Sequence, residues 1–271
     1  MPRAARIDIP DLLHHVIVRG IERRDIFMDD EDRHCFVQRL SSLLVETETS
    51  CLAWALIPNH FHLLLRPSRC KLAVIMRRLL TGHAVTFNLR HNRSGHLFQN
   101  RYKSLVCQED EYLLQLVRYI HLNPFRANLV RDLSALERYR WSGHRMVMGK
   151  QELPGQNVDF ILSMFGNKVP ESRKRYRNFI ADGISEGHRG DLVGRPCPAD
   201  RNSQDARVLG TPDFVEEIRL LAPDDKKPAK RRAIAEIIAE AAASHDLPER
   251  ALTIAREVQC NPHRLSRPLS Q

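Results

Sequence analysis

The sequence predicts an α+β fold of the ferredoxin-like type: a four-stranded antiparallel sheet with helices on one face, followed by a mostly helical C-terminal extension. Three observations carry that prediction. Strand-like and helix-like segments alternate in the order β-α-β-β-α-β-α up to about residue 150, and the first six follow the split β-α-β pattern. Pro58-Asn59 separates two apolar runs by so short a break that they read as an antiparallel hairpin. Beyond residue 150 the apolar periodicity gives way to scattered Gly, Pro and Ser.

Each element has its own local reason. His14 to Gly20 is a short β-rich run. Asp29 to Glu46 has helical spacing, with Phe36, Val37, Leu40, Leu43 and Leu44 on one face and Asp29 and Asp30 favouring the helix start. Ser50 to Ile57 and His60 to Arg66 are the hairpin strands. Lys71 to Asn92 reads as a long basic helix with Leu72, Ile75, Met76, Leu79, Leu80, Val85 and Phe87 as apolar candidates, and Asn92-Arg93-Ser94-Gly95 as a loop. Tyr102 to Gln108 is the fourth strand and Glu109 to Leu122 the last helix of this region. Residues 151–210 read as an irregular basic linker containing Arg173-Lys174-Arg175-Tyr176-Arg177. Residues 211–271 read as a helical C-terminal region, with helices at Asp213 to Leu220, Lys226 to Ala243 and Glu249 to Val258. The segment around His245-Asp246-Leu247-Pro248 is a candidate helix-turn-helix; the alternative is a helical tail without DNA contact.

Composition narrows the function. The chain of 271 residues is 42% hydrophobic, enough for a packed core, and no apolar run approaches the roughly 20 residues that span a bilayer. No apolar core follows the basic N-terminus, so a signal peptide is not expected. The six cysteines show no C-x-x-C spacing and read as reduced thiols of a cytosolic protein. The net charge of +9 is unevenly spread, for no Asp or Glu occurs between Glu48 and Glu109. Arg66, Arg69, Lys71, Arg77, Arg78, Arg90, Arg93, Arg101 and Lys103 lie inside that gap. A solvated helix face normally mixes signs, so this stretch points to a phosphate-bearing ligand.

His60-Phe61-His62 supplies candidate chemistry. On a strand the two histidines share a face, roughly 6–7 Å apart, while Phe61 points the other way, with Leu64. Two adjacent imidazoles suit a divalent metal, though ordinary hydrogen-bonded histidines beside a turn fit the same pattern. Tyr119 and Asn123, four apart, share a helix face that Pro124 ends. Asn123 offers an amide oxygen to Mg²⁺ or Mn²⁺; Tyr119 is a nucleophile or a core tyrosine. His121, on another face, is structural or DNA-contacting.

Three ordered motifs decide among these readings: Pro58-Asn59-His60-Phe61-His62-Leu63-Leu64-Leu65, Gly95-His96-Leu97-Phe98-Gln99-Asn100-Arg101-Tyr102-Lys103, and Tyr119-Ile120-His121-Leu122-Asn123-Pro124-Phe125-Arg126-Ala127. Over about residues 1–150 the chain resembles the HUH-class single-tyrosine transposases, most of all their REP-associated tyrosine transposase branch. The resemblance implies that His60 and His62 are metal ligands, Tyr119 the nucleophile and Asn123 a third ligand, where some relatives have Gln. It implies a Mg²⁺- or Mn²⁺-dependent enzyme that nicks and rejoins single-stranded, hairpin-forming DNA through a 5′-phosphotyrosine link, in the cytoplasm at the bacterial nucleoid and without a membrane partner. Arg66, Arg77, Arg78, Arg101, Lys103 and Arg118 are the candidate DNA contacts, and Phe98 and Tyr102 either stack on bases or are buried. A catalytically silent, domesticated DNA-binding protein and a water-using nuclease are the alternatives; monomer and homodimer both remain open.

Overall fold

Four strands, β1 (Leu13–Arg19), β2 (Ser50–Ile57), β3 (His60–Arg66) and β4 (Lys103–Cys107), pair antiparallel in the order β2-β3-β1-β4. That is the order a split β-α-β chain produces. The computed structural model describes residues 6–187, 189–193 and 205–222. Helices α1 (Asp30–Glu46) and α2 (Leu72–Arg90) form the crossovers, and α3 (Glu109–His121) follows β4. Asp29 caps α1 by accepting from the Asp32 N–H at 2.9 Å. Three acids, Glu109, Asp110 and Glu111, open α3 and complement its dipole. Short helices α4 (Asn123–Arg126), α5 (Leu133–Arg138), α6 (His144–Val147) and α7 (Val158–Ser163) lead to α8 (Val169–Asp182). A two-residue strand, β5 (Val208–Leu209), adds a fifth, parallel strand beside β4 and precedes α9 (Pro212–Leu221).

The α+β class and the strand order match the expectation, but helices cover both faces of the sheet, not one. α1 and α2 pack Phe36, Leu40, Met76, Leu79 and Phe87 onto Val16, Val18, Leu56, Phe61 and Leu63. On the other face α3 sets Leu113, Leu116, Val117 and Ile120 against Ala53, Ala55, Leu64 and Leu105, with Tyr176 and Ile180 of α8 behind. The physical reason is legible in β2, which is buried from Cys51 to Ile57 without alternation and so has two apolar faces to cover. Leu64 lies on the histidine face, not with Phe61, as strict period-two alternation requires.

The stretch expected as an irregular linker holds α7 and α8, and the described residues belong to one unit. Its basic run is the outer surface of α8. Arg173 donates to the Val147 carbonyl at 3.1 Å, Arg175 to the Phe165 carbonyl at 3.0 Å, and Arg177 pairs with Glu137 at 2.6 Å. Ser172, Tyr176 and Ile180, four apart, face inward. The helices expected at Lys226 to Ala243 and Glu249 to Val258, and the candidate helix-turn-helix, lie outside the described residues.

Phe61 is fully buried between sheet and α1, its ring 4.8 Å from that of Phe36. Phe61→Ala is expected to lower the unfolding free energy by about 3–5 kcal/mol in urea titrations, because the rigid sheet cannot collapse into the space left.

Candidate active site

Alternation along three strands aims one set of side chains at α3. His60 and His62 project from β3, Arg19 from the end of β1 and Lys103 from the start of β4. Tyr119 comes from the last turn of α3, Asn123 and Arg126 from α4. Together they line a cavity of about 450 Å³, with Gln99, Asn100 and Arg101 at its side and no acidic residue among its described lining.

Hydrogen bonds orient both histidines. His60 Nδ1 lies 2.6 Å from Asn59 Oδ1. An amide oxygen only accepts, so Nδ1 donates and Nε2 keeps its lone pair. Asn59 is itself held by donating from Nδ2 to the Arg23 carbonyl at 3.2 Å. The rings of His60 and His62 are 5.3 Å apart at 74°. Burial, with Arg19 nearby, lowers His60 to about 4. Burial lowers His62 well below its ordinary value, and His15, His60 and Arg19 add to the effect. Both imidazoles are therefore neutral at physiological pH, as metal ligation requires. Asn123 donates from Nδ2 to the Tyr119 carbonyl at 3.0 Å, which leaves Oδ1 as the end open to a ligand. Two imidazole nitrogens and an amide oxygen make a donor set that fits Mn²⁺ or Mg²⁺.

Tyr119 is only 5% exposed. Its ring stands edge-on to His62 at 5.6 Å and to His15 at 6.0 Å. The Arg126 guanidinium lies 5.1 Å from the ring centre, and its Nη1 donates to the Tyr119 carbonyl at 3.3 Å. Burial lowers the Arg126 pKa, opposed in part by Tyr119. Neither His15 nor Arg126 stood out as a functional residue in the sequence. Arg126 had a usable signal, two helical turns beyond Tyr119; His15, on a different strand, had none.

The expected DNA contacts divide. Arg101 is exposed beside the cavity, and Lys103 lines it while donating from Nζ to the Val193 carbonyl at 2.5 Å. Arg66 instead pairs with Glu109, and Arg118 with Glu186 while stacking 4.5 Å from Phe179. Arg78 is held bidentate by Glu46 at 2.6 and 2.7 Å. Arg77 is exposed on α2, which packs on the opposite face of the sheet from the cavity. Tyr102 is buried under the Arg6 guanidinium at 3.9 Å, and Phe98 packs 6.2 Å from His83, so both belong to the core. His121 is fully buried, its Nδ1 2.7 Å from the Tyr176 hydroxyl, and is structural.

A second group of donor atoms, from Asp29, Asp32 and His91, lies within 4.8 Å. Arg90 pairs with both carboxylates, while Asp29 caps α1 and Asp32 accepts from the Met28 N–H at 2.9 Å. These contacts already compensate the charge, and the group serves to clamp α1 to α2.

Residues 8–123 match the family model described as Transposase IS200 like. No curated protein matches the chain. Among solved structures, a REP-associated tyrosine transposase bound to a REP hairpin shares 16% identity at a TM-score of 0.45, covering 57% of this chain and 90% of its own. A putative transposase from Deinococcus radiodurans R1 shares 18% at 0.32, covering 44% and 95%. The tRNA(His) guanylyltransferase from Saccharomyces cerevisiae shares 10% at 0.32, covering 69% and 81%.

Proposed function

We propose, from the match of residues 8–123 to the IS200-like transposase family model, that this protein is a transposase that nicks and rejoins single-stranded, hairpin-forming DNA through a 5′-phosphotyrosine on Tyr119. Convergence of Tyr119 with His60 and His62 in one acid-free cavity is the observation that supports it most directly. Arg19, Arg101, Lys103 and Arg126 give that cavity the positive charge a phosphodiester needs.

Tyr119 Oη attacks the scissile phosphorus, forming an O–P bond as the bond to the 3′-oxygen breaks. The phenol proton leaves to solvent in the cavity, and the departing 3′-oxygen takes up a proton to become a hydroxyl. A phenol has a pKa of about 10, so the neighbouring Arg126 guanidinium assists by stabilising the phenolate. A divalent cation held by His60, His62 and Asn123 would supply Lewis-acid charge against the scissile phosphate oxygens. Attack by another 3′-hydroxyl on the phosphotyrosine reverses the step and frees Tyr119. The link conserves the energy of the phosphodiester, so joining needs no nucleotide triphosphate.

Hairpin oligonucleotides carrying a 3′ label, incubated with the protein and Mn²⁺, are expected to leave the label on a protein band that survives denaturation. The same hairpin labelled at its 5′ end should release a shortened free strand. His60→Ala and His62→Ala are each expected to remove the adduct. A labelled free fragment with a 5′-phosphate and no adduct would indicate water as nucleophile. Tight hairpin binding without cleavage would indicate a silent binder; either outcome overturns the proposal.

A further inference from the structure

We infer that His15 is a positioning residue, which fixes His62 in the tautomer with a bare Nε2 through a hydrogen-bond relay that starts at the Leu192 carbonyl. The inference deepens the proposed function, since it concerns His62 as a metal ligand. Its first support is register. Across β1 and β3, His62 faces Ile17 and His15 faces Leu64, so the two histidines are diagonal neighbours on one sheet face. Their rings stack at 5.1 Å and 26°.

The direction of the relay follows from its end. His15 Nδ1 is 3.0 Å from the Leu192 carbonyl oxygen, which can only accept. Nδ1 therefore carries the proton. The His15 ring is fully buried and its two nitrogens meet the Leu192 carbonyl and His62, with no carboxylate to balance a charge, so the ring is neutral and its Nε2 is an acceptor. His62 Nδ1, 2.9 Å away, must donate to it. A neutral His62 with its proton on Nδ1 has its lone pair on Nε2. His60 reaches the same tautomer independently through Asn59. Such outer partners set ligand orientation and basicity.

Leu192 lies outside the family match at 8–123, in the short 3-10 turn Asp191–Val193. That turn is anchored on both sides. Leu192 is buried in the second core, the Val193 carbonyl receives Lys103, and Arg189 holds Asp191 at 2.8 Å and Gln115 at 2.9 Å. The extension thus builds part of the site instead of merely following it.

Two measurements on the full chain test this. In ¹⁵N spectra of the metal-free protein, the His62 imidazole is expected to show a protonated Nδ1 and an unprotonated Nε2; the opposite tautomer overturns the inference. In calorimetric titrations with Mn²⁺ alone, His15→Phe should weaken binding by about 10–100-fold, while His15→Gln, whose amide oxygen can still accept from His62, should recover most of the affinity. Folded His15→Phe with unchanged Mn²⁺ affinity also overturns it. A merely structural His15 would leave the affinity of the folded fraction unaltered in both variants. Should His15→Phe fail to fold, the His62 tautomer in the unaltered protein decides alone. Absence of Mn²⁺ binding by the unaltered protein would count against the proposed metal-assisted reaction, while the ¹⁵N pattern would still answer for the relay.

Discussion

Tyr119→Phe is expected to abolish the covalent adduct and to slow strand cleavage by about 10³-fold or more, the scale on which enzymes lose rate when their nucleophile is removed. The substitution takes away one oxygen and leaves the ring. Packing against His62, His15 and the Arg126 guanidinium is therefore retained, and the thermal midpoint should move little. That separation of activity from stability distinguishes a nucleophile from a core tyrosine, whose ring carries most of its worth. Single-turnover assays with labelled hairpin DNA measure the effect. Cleavage by Tyr119→Phe at the unaltered rate would sink the tyrosine mechanism, and loss of fold would assign Tyr119 a structural role.

Much of this site was legible in the sequence because its residues obey short periods. His60 and His62 follow the period of a strand, and Tyr119 and Asn123 that of a helix. Contacts between distant segments were not legible. The acid-free stretch from 49 to 108 read as a free basic surface, yet acids just outside it fold back. Glu46 meets Arg78, Glu48 meets Arg69 at 2.6 Å, and Glu109 meets Arg66. The end of α1 lies along α2, so sequence distance hid the compensation. The basic run in α8 misled for a related reason, because its arginines cap carbonyls of neighbouring segments while Tyr176 carries the burial. Around the cavity, by contrast, Arg19, Arg101, Lys103 and Arg126 gather with no acidic residue among the described lining.

Acid is expected to unfold this protein well above the usual carboxylate range. Burial lowers His14, His15, His60 and His83 to about 4 and His144 to about 3, and it lowers His62 and His121 well below their ordinary value. An unfolded chain takes up protons on these groups once the pH falls below about 6.5, whereas the folded chain refuses them until about 4 or lower. In that window the unfolded state binds more protons, so stability falls as pH falls. Each such histidine contributes a slope of up to about 1.4 kcal/mol per pH unit. Several acting together exhaust a total stability of about 5–15 kcal/mol within one or two pH units. Urea titrations at stepped pH should show the unfolding free energy nearly flat above pH about 7.5 and dropping steeply below about 6. His14→Leu, which removes one buried imidazole outside the active cavity, should shift the acid midpoint downward. An unfolding free energy constant from neutral pH to about 4.5 would mean that these histidines are protonated within the fold, and the neutral, ligand-ready state assigned to His60 and His62 would fall with it.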